Sequence, residues 1–229
     1  MSITLGLDTS TTACSAAVLR DDHIAAFRFE EMERGQAERL NPMVAEVMAE
    51  AGIAFADLSL VAVTIGPGAF TGLRIGLACA RAINLAADVP VAGVTTFAAL
   101  ARAIPEAERE GREVLVCVDG KRRDVFVQRF DAALAPLGAP GALDPDAAAA
   151  ALRAGAYLIA GDGAVRLRAA LGAANDVGEK VAARLRFSSA VAPPDARHVA
   201  ALGRAAGHSP TLPRPFYIRP PDARLPAAS

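Results

Sequence analysis

The chain has 229 residues, 53% of them apolar, with 24 basic and 25 acidic residues and a formal net charge of −1. That length can bury a sizeable core as one compact domain or two small lobes, and the balanced charge excludes nucleic-acid binding by a basic field alone. Alanine makes up roughly a quarter of the chain and only Lys121 and Lys180 are lysine, so both biases read as codon composition rather than arginine-rich nucleic-acid chemistry.

Three short strands open the sequence, Ile3–Asp8, Ala13–Arg20 and His23–Glu30, joined by the polar turns TSTT and Asp21-Asp22. Asp8 follows at once on the first apolar residues, so no signal peptide is expected. Leu40, Met43, Val44, Val47, Met48 and Ala51 then fall on one helical stripe that stops at Gly52, with Pro42 tolerable only near its first turn. Leu60–Ile65 reads as a buried strand, and Gly66-Pro67-Gly68 leads into a helix over Thr71–Ala86. A strand Val91–Val94 and a helix Thr95–Ile104 complete this half. Arg74, Arg81 and Asn84 interrupt the longest apolar helical pattern, which argues against a membrane span.

The second half echoes the first. Val114–Val118 runs into Asp119, a polar turn GKRR and a strand Val125–Phe130. A helix around Asp146–Ala154, a strand Tyr157–Ala160, Gly161-Asp162-Gly163 and a helical run Ala164–Leu171 follow. Strand–Asp–turn–strand and strand–Gly-x-Gly–helix therefore each occur twice, in the same order. The segment AALAPLGAPGAL is too broken by Pro and Gly for a third strand, so the second lobe is expected to be reduced. A helix near Asp195–Ala206 precedes a tail with six prolines, expected to be extended or disordered. These signals divide the chain into lobes at 1–105 and 106–209 and a Pro-rich tail at 210–229.

Few residues carry recognisable chemistry. Cys14, Cys79 and Cys117 stand alone among apolar neighbours, as buried reduced thiols do. His23, His198 and His208 are scattered without metal-ligand spacing, and no G-x-S-x-G occurs. Two acidic strand ends, each followed by a Gly-x-Gly turn, are similar to the phosphate clamps of the actin-like ATPase (ribonuclease H-like) fold, an α/β fold of two βββαβα lobes with mixed sheets. Asp8, Thr9, Ser10 and Thr11 would form one clamp, Asp119 with Gly120 the other, and Gly66 and Gly68 the adjoining loop. The Gly that this clamp needs after its first Asp is absent, so a working clamp and a relic frame are both open. The Gly66-Pro67-Gly68 loop has no Gly-Lys-[Ser/Thr], and Pro67 removes one amide from any anion cradle. Gly72, Gly76 and Ala80 recur every four residues, which fits close packing either on this chain's own sheet or on a partner's helix.

Taken together, LGLDTSTTACSAAVL, GPGAFTGLRIGLACARAINLA and the closing PFYIR resemble the TsaB (YeaZ) family, on the glycopeptidase (M22)-like branch of the actin-like proteins. The resemblance covers nearly the whole chain. It implies a cytoplasmic, noncatalytic subunit for making threonylcarbamoyladenosine in tRNA, paired with a TsaD-like catalytic subunit, joined by a TsaE-like ATPase and homodimeric when alone. It implies contact with tRNA only through that complex, no cofactor or metal of its own, and ATP or ADP only at a subunit interface. In the family the pairing surface uses the two first-lobe helices, which places Leu40, Val44, Val47, Met48, Thr71, Gly72, Ile75, Gly76, Cys79, Ala80 and Ile83 in the expected interface. Departures from the family pattern are Ala69 where Ser is usual, Asp119-Gly120-Lys121-Arg122-Arg123-Asp124-Val125-Phe126 for Asp-Ala-Arg-x-x-Glu-Val-Tyr, and Gln36 for a common His. An actin-like small ATPase or kinase is the alternative the duplicated Asp turns leave open, and an M22-type glycopeptidase a remote one.

Overall fold

The computed structural model describes residues 1–152, 156–173, 184–190, 192–208 and 210–219. Strand β1 (Ile3–Asp8) is buried on both faces, as its unbroken apolar run requires of a central strand. It pairs antiparallel with β2 (Ala13–Arg20) on one side and parallel with β4 (Leu60–Gly66) on the other. Strands β3 (His23–Glu31) and β5 (Val91–Thr95) form the edges, giving the order β3-β2-β1-β4-β5. Helices α1 (Gln36–Ala51) and α2 (Phe70–Ala87) cover one face, where Leu40, Met43, Val47, Leu77 and Ala80 pack on Leu5, Leu7, Ala16 and Val18. Pro42 lies in the second turn of α1 rather than ahead of it. The expected first-turn limit is thus exceeded by a few residues, at the loss of one helix hydrogen bond.

The second sheet repeats this plan. Its centre is β6 (Glu113–Asp119), antiparallel to β7 (Val125–Phe130) and parallel to β9 (Tyr157–Ala160), with β8 (Pro136–Leu143) and β10 (Leu185–Phe187) at the edges. The order β8-β7-β6-β9-β10 is that of the first sheet, strand for strand, so the fold is the two-lobed actin-like ATPase fold. In strand number the second lobe is not reduced. The segment read as too broken for a strand is β8, paired with β7 as far as Phe130 and Pro136. It is an edge strand, where one side of the backbone is unpaired and Pro is tolerated, and its register with β7 shifts between Val127 and Arg129. Helix α4 (Pro145–Leu152) precedes β9, and the end of its predicted span, 153–154, lies outside the described residues.

The lobes do not follow the chain order read from the sequence. Helix α3 (Thr96–Arg102) places Phe97, Leu100 and Ala101 against Val114, Val116, Val118 and Leu158 of the second sheet. Helix α5 (Ala164–Ala173) covers the opposite face through Leu167 and Leu171. Helix α6 (Ala196–Ala206), assigned to the second lobe by position, closes the free face of the first sheet against Ala17, Leu19, Ala62 and Val94. Two glycines let it sit that close: a methyl on Gly6 would fall on the Ala196 carbonyl oxygen, and one on Gly203 on the Ala62 side chain. Among the described residues no helix is long and apolar enough to cross a membrane. Cys14 and Cys117 are buried, Cys79 is partly exposed, and all three are free thiols.

The Gly6 contact is with main chain that cannot rotate away. Gly6→Ala is expected to lower the unfolding free energy by about 1–3 kcal/mol, measured by urea denaturation with the helical signal retained.

Candidate functional site

Where β1 turns into β2, the Asp8 carboxylate is fully buried. Its Oδ1 accepts from the Ser10 amide (3.2 Å), the Ser10 hydroxyl (2.7 Å) and the Thr64 hydroxyl (2.7 Å), while Oδ2 has no hydrogen-bond partner among the described residues. The amide bond closes a local Asx turn. Burial pushes the Asp8 carboxyl up to about 6, with the Ser10 and Thr64 hydrogen bonds acting in the opposite direction. Thr9, Ser10 and Thr11 are buried too.

The start of α2 is what covers them. The Ala69 amide donates to the Ser10 carbonyl (2.7 Å), and the Thr9 hydroxyl donates to the Gly72 carbonyl (2.7 Å). A methyl on Gly68 would land on the Ser10 carbonyl oxygen and one on Gly72 on the Thr9 carbonyl oxygen. One on Gly76 would sit 2.8 Å from the Thr9 hydroxyl and 3.3 Å from Val63. Gly68 and Gly72 are therefore required by the chain's own backbone, and Gly76 faces side chains of its own lobe. The turn meets α2 with carbonyl oxygens, and its Ser10 amide is spent on Asp8.

The second turn is built alike but charged differently. Asp119 Oδ1 accepts from the Lys121 amide (2.9 Å) and the Arg166 guanidinium (2.9 Å), and Lys121 Nζ lies 3.5 Å from Oδ2. Burial raises the Asp119 carboxyl, but the Lys121 amide and Arg166 outweigh it and hold it below the usual range. The Gly163 amide donates to the Cys117 carbonyl (3.1 Å), and Asp162 Oδ1 accepts from the Asp119 amide (2.9 Å). Methyls on Gly161 and Gly163 would collide with the Cys117–Asp119 main chain. In each lobe, then, a Gly-x-Gly turn after the fourth strand closes on the acidic end of the first. Gly120 similarly faces the Asp124 carbonyl, and Arg166 also donates to the Arg123 and Asp124 carbonyls.

A cleft of about 660 Å³ beside the first turn is lined by Thr11, Thr12, Arg34, Gln36, Thr71 and Lys121. Gln36, at the position where the family commonly has His, donates to the Met32 carbonyl (3.1 Å). Among the described residues no three His, Cys, Asp or Glu side chains are grouped as a metal site would need.

A larger groove, about 1000 Å³, runs between α1 and α2. Leu40, Val44 and Ile83 form its buried floor, with Ile75 and Cys79 on its walls. The expected interface needs correction here. Val47, Met48, Gly72, Gly76 and Ala80 are buried in the first lobe's own interior and do not line the groove, because that side of each helix faces the sheet. Thr71 is exposed beside the smaller cleft. The exposed lining is instead Ala37, Asn41, Ala45, Ala78, Ala82 and Ala86. Ala78, Ala82 and Ala86 repeat the same four-residue spacing as the glycine stripe, two residues out of phase with it. Helical phase relative to the sheet was the available signal.

A family model described as TsaD: tRNA N6-adenosine threonylcarbamoyltransferase matches residues 30–155. The tRNA threonylcarbamoyladenosine biosynthesis protein TsaB of Escherichia coli (strain K12) is 34% identical over 122 residues, covering 53% of this chain and 52% of that protein. The chain spans about half the length of the curated relatives it matches. Among solved structures, an uncharacterized protein of Pseudomonas aeruginosa with similarity to peptidase YeaZ shares 28% identity at TM-score 0.73, over 96% of this chain and all of that one. YeaZ from Pseudomonas aeruginosa shares 28% identity at TM-score 0.69, over 90% and 94% of the two chains.

The burial of Asp8 has a measurable sign. Its carboxyl is raised from 3.8 to about 6 in the fold, so its contribution to stability is fully present below pH 4 and is lost as pH rises through 6. Asp8→Asn removes this dependence: urea denaturation should show the variant gaining on the parent between pH 4 and 7 by roughly 3 kcal/mol.

Proposed function

The chain belongs to the TsaB (YeaZ) family, and from that premise we propose that it is a noncatalytic subunit for making threonylcarbamoyladenosine in tRNA, docking a TsaD-like catalytic partner through the α1–α2 groove. The observation that carries this reading is the groove itself. Small side chains line an apolar trough of about 1000 Å³ on two helices that are firmly backed by the first sheet. Alanines let a partner helix approach closely, and Ile75 and Phe55 supply apolar area at the rims. The same groove would serve a second copy of this chain when the partner is absent. A TsaE-like ATPase would join the assembled pair in the cytoplasm, and tRNA would be met through the complex.

The turns support a subunit without chemistry of its own. The first is closed under α2 by Gly68 and Gly72, and the second acid is held by Lys121 and Arg166. The ATPase or kinase alternative requires an open first turn, which this packing opposes.

Gly76 is unsuitable as a probe because it faces Thr9 and Val63. Ala82 is exposed on the groove wall. Mixed with the TsaD-like subunit of the same organism, the unaltered chain should co-elute with it in size exclusion at micromolar concentration. Ala82→Arg should weaken that association by about tenfold or more with an unchanged circular dichroism spectrum. Absence of co-elution for the unaltered chain would refute the reading.

A further inference from the structure

Beyond α6 the chain crosses from one lobe to the other along a path held at successive residues. Pro213 passes over Gly93, where a methyl would lie 2.9 Å from it, and its carbonyl accepts from Arg81 (2.7 Å). The Phe216 amide donates to the Ile65 carbonyl (2.7 Å) at the end of β4. The Phe216 carbonyl lies against Gly66, whose φ of +120° and missing side chain both suit this approach. Tyr217 stacks on Phe70 at the start of α2, with 5.5 Å between ring centroids, and its hydroxyl accepts from Arg74 (3.3 Å). The next two residues belong to the second lobe. Ile218 packs against the core formed by Val116, Phe126 and their neighbours. Arg219 donates to Asp124 Oδ2 (2.7 Å) in the β6–β7 turn and lies 5.6 Å over the Phe126 ring.

Helix α3 already joins the lobes: Ala99 packs with Ala62 and Val199 on the first, and Phe97 with Val116 on the second. Two bodies joined by one helix can turn about it, and a second segment that ties both of them across the same seam restrains that rotation. We propose that residues 213–219 are a strap that locks the angle between the two lobes, so that this chain does not open and close around its cleft. The strap makes no part of the α1–α2 groove lining, so the inference stands independently of partner docking.

The test is the distance between lobes in the full-length protein. Spin labels on Ala49→Cys in α1 and Leu137→Cys in β8, in a Cys79→Ala background, report it by pulsed electron paramagnetic resonance. The parent should give one narrow distance distribution. Tyr217→Ala with Arg219→Ala should broaden or shift it by roughly 3 Å or more, as released hinges do. A distribution unchanged by the double variant, or a parent that is already broad, would overturn the proposal. Should the double variant fail to fold, Arg219→Ala alone is read by the same criterion, because that side chain is partly exposed and outside both cores.

Discussion

The carbonyl oxygens of Thr9 and Ser10 occupy the space that side chains at residues 72 and 68 would need, and the first lobe is organised around that approach of one backbone to another. It seats the N-terminal turn of α2 on the β1–β2 turn and fixes the helix axis across β4. It also fixes which residues of α2 face the sheet. Leu73, Gly76, Leu77 and Ala80 turn inward, and Ala78, Ala82 and Ala86 are thereby left outside. The second lobe uses the same device, with Gly161 and Gly163 set on the Cys117–Asp119 main chain. In both lobes these glycines make room for the chain's own main chain.

The two acidic strand ends show how far a duplicated frame can diverge chemically. Asp8 is held by hydroxyls and one amide in a fully buried site, where desolvation favours the protonated form. Asp119 sits in a partly exposed site and is balanced by Arg166 and Lys121. A clamp for a charged ligand would need both turns to present open amides or carboxylates to one cleft. Here one acid is enclosed and the other is committed to cations of its own lobe. The trough between α1 and α2 is larger than the cleft beside these turns.

Much of the architecture was legible in the sequence. β1, β2, β4, β6, β7 and β9 lie where their apolar runs end in turn residues, and the duplicated order of Asp turns and Gly-x-Gly turns corresponds to two sheets of the same topology. β8 was hidden because Pro136, Gly138, Pro140 and Gly141 read as breaks, whereas an edge position leaves one side of its backbone unpaired. β10, with three residues, is too short for periodicity to register. The return of α6 to the first sheet depends on Gly6 and Gly203, whose role appears only once the two elements face each other. Of the residues expected at an interface, Leu40, Val44, Ile75, Cys79 and Ile83 lie along the α1–α2 groove, whereas Gly72, Gly76 and Ala80 are turned into the first lobe. Small residues at four-residue spacing mark close approach without saying to what, and here one such row meets Thr9 while the next lines the groove.

In the function proposed above, the chain would work by presenting this groove rather than by chemistry at its turns. Reconstituted threonylcarbamoyladenosine formation in tRNA, with the TsaD-like subunit and its accessory ATPase, separates the two directly. Asp8→Asn should support modification at close to the parent rate, and Ala82→Arg should lower it by about tenfold or more at limiting concentrations of the subunits. Loss of modification in Asp8→Asn with full activity in Ala82→Arg, both variants being folded, would contradict the proposed function.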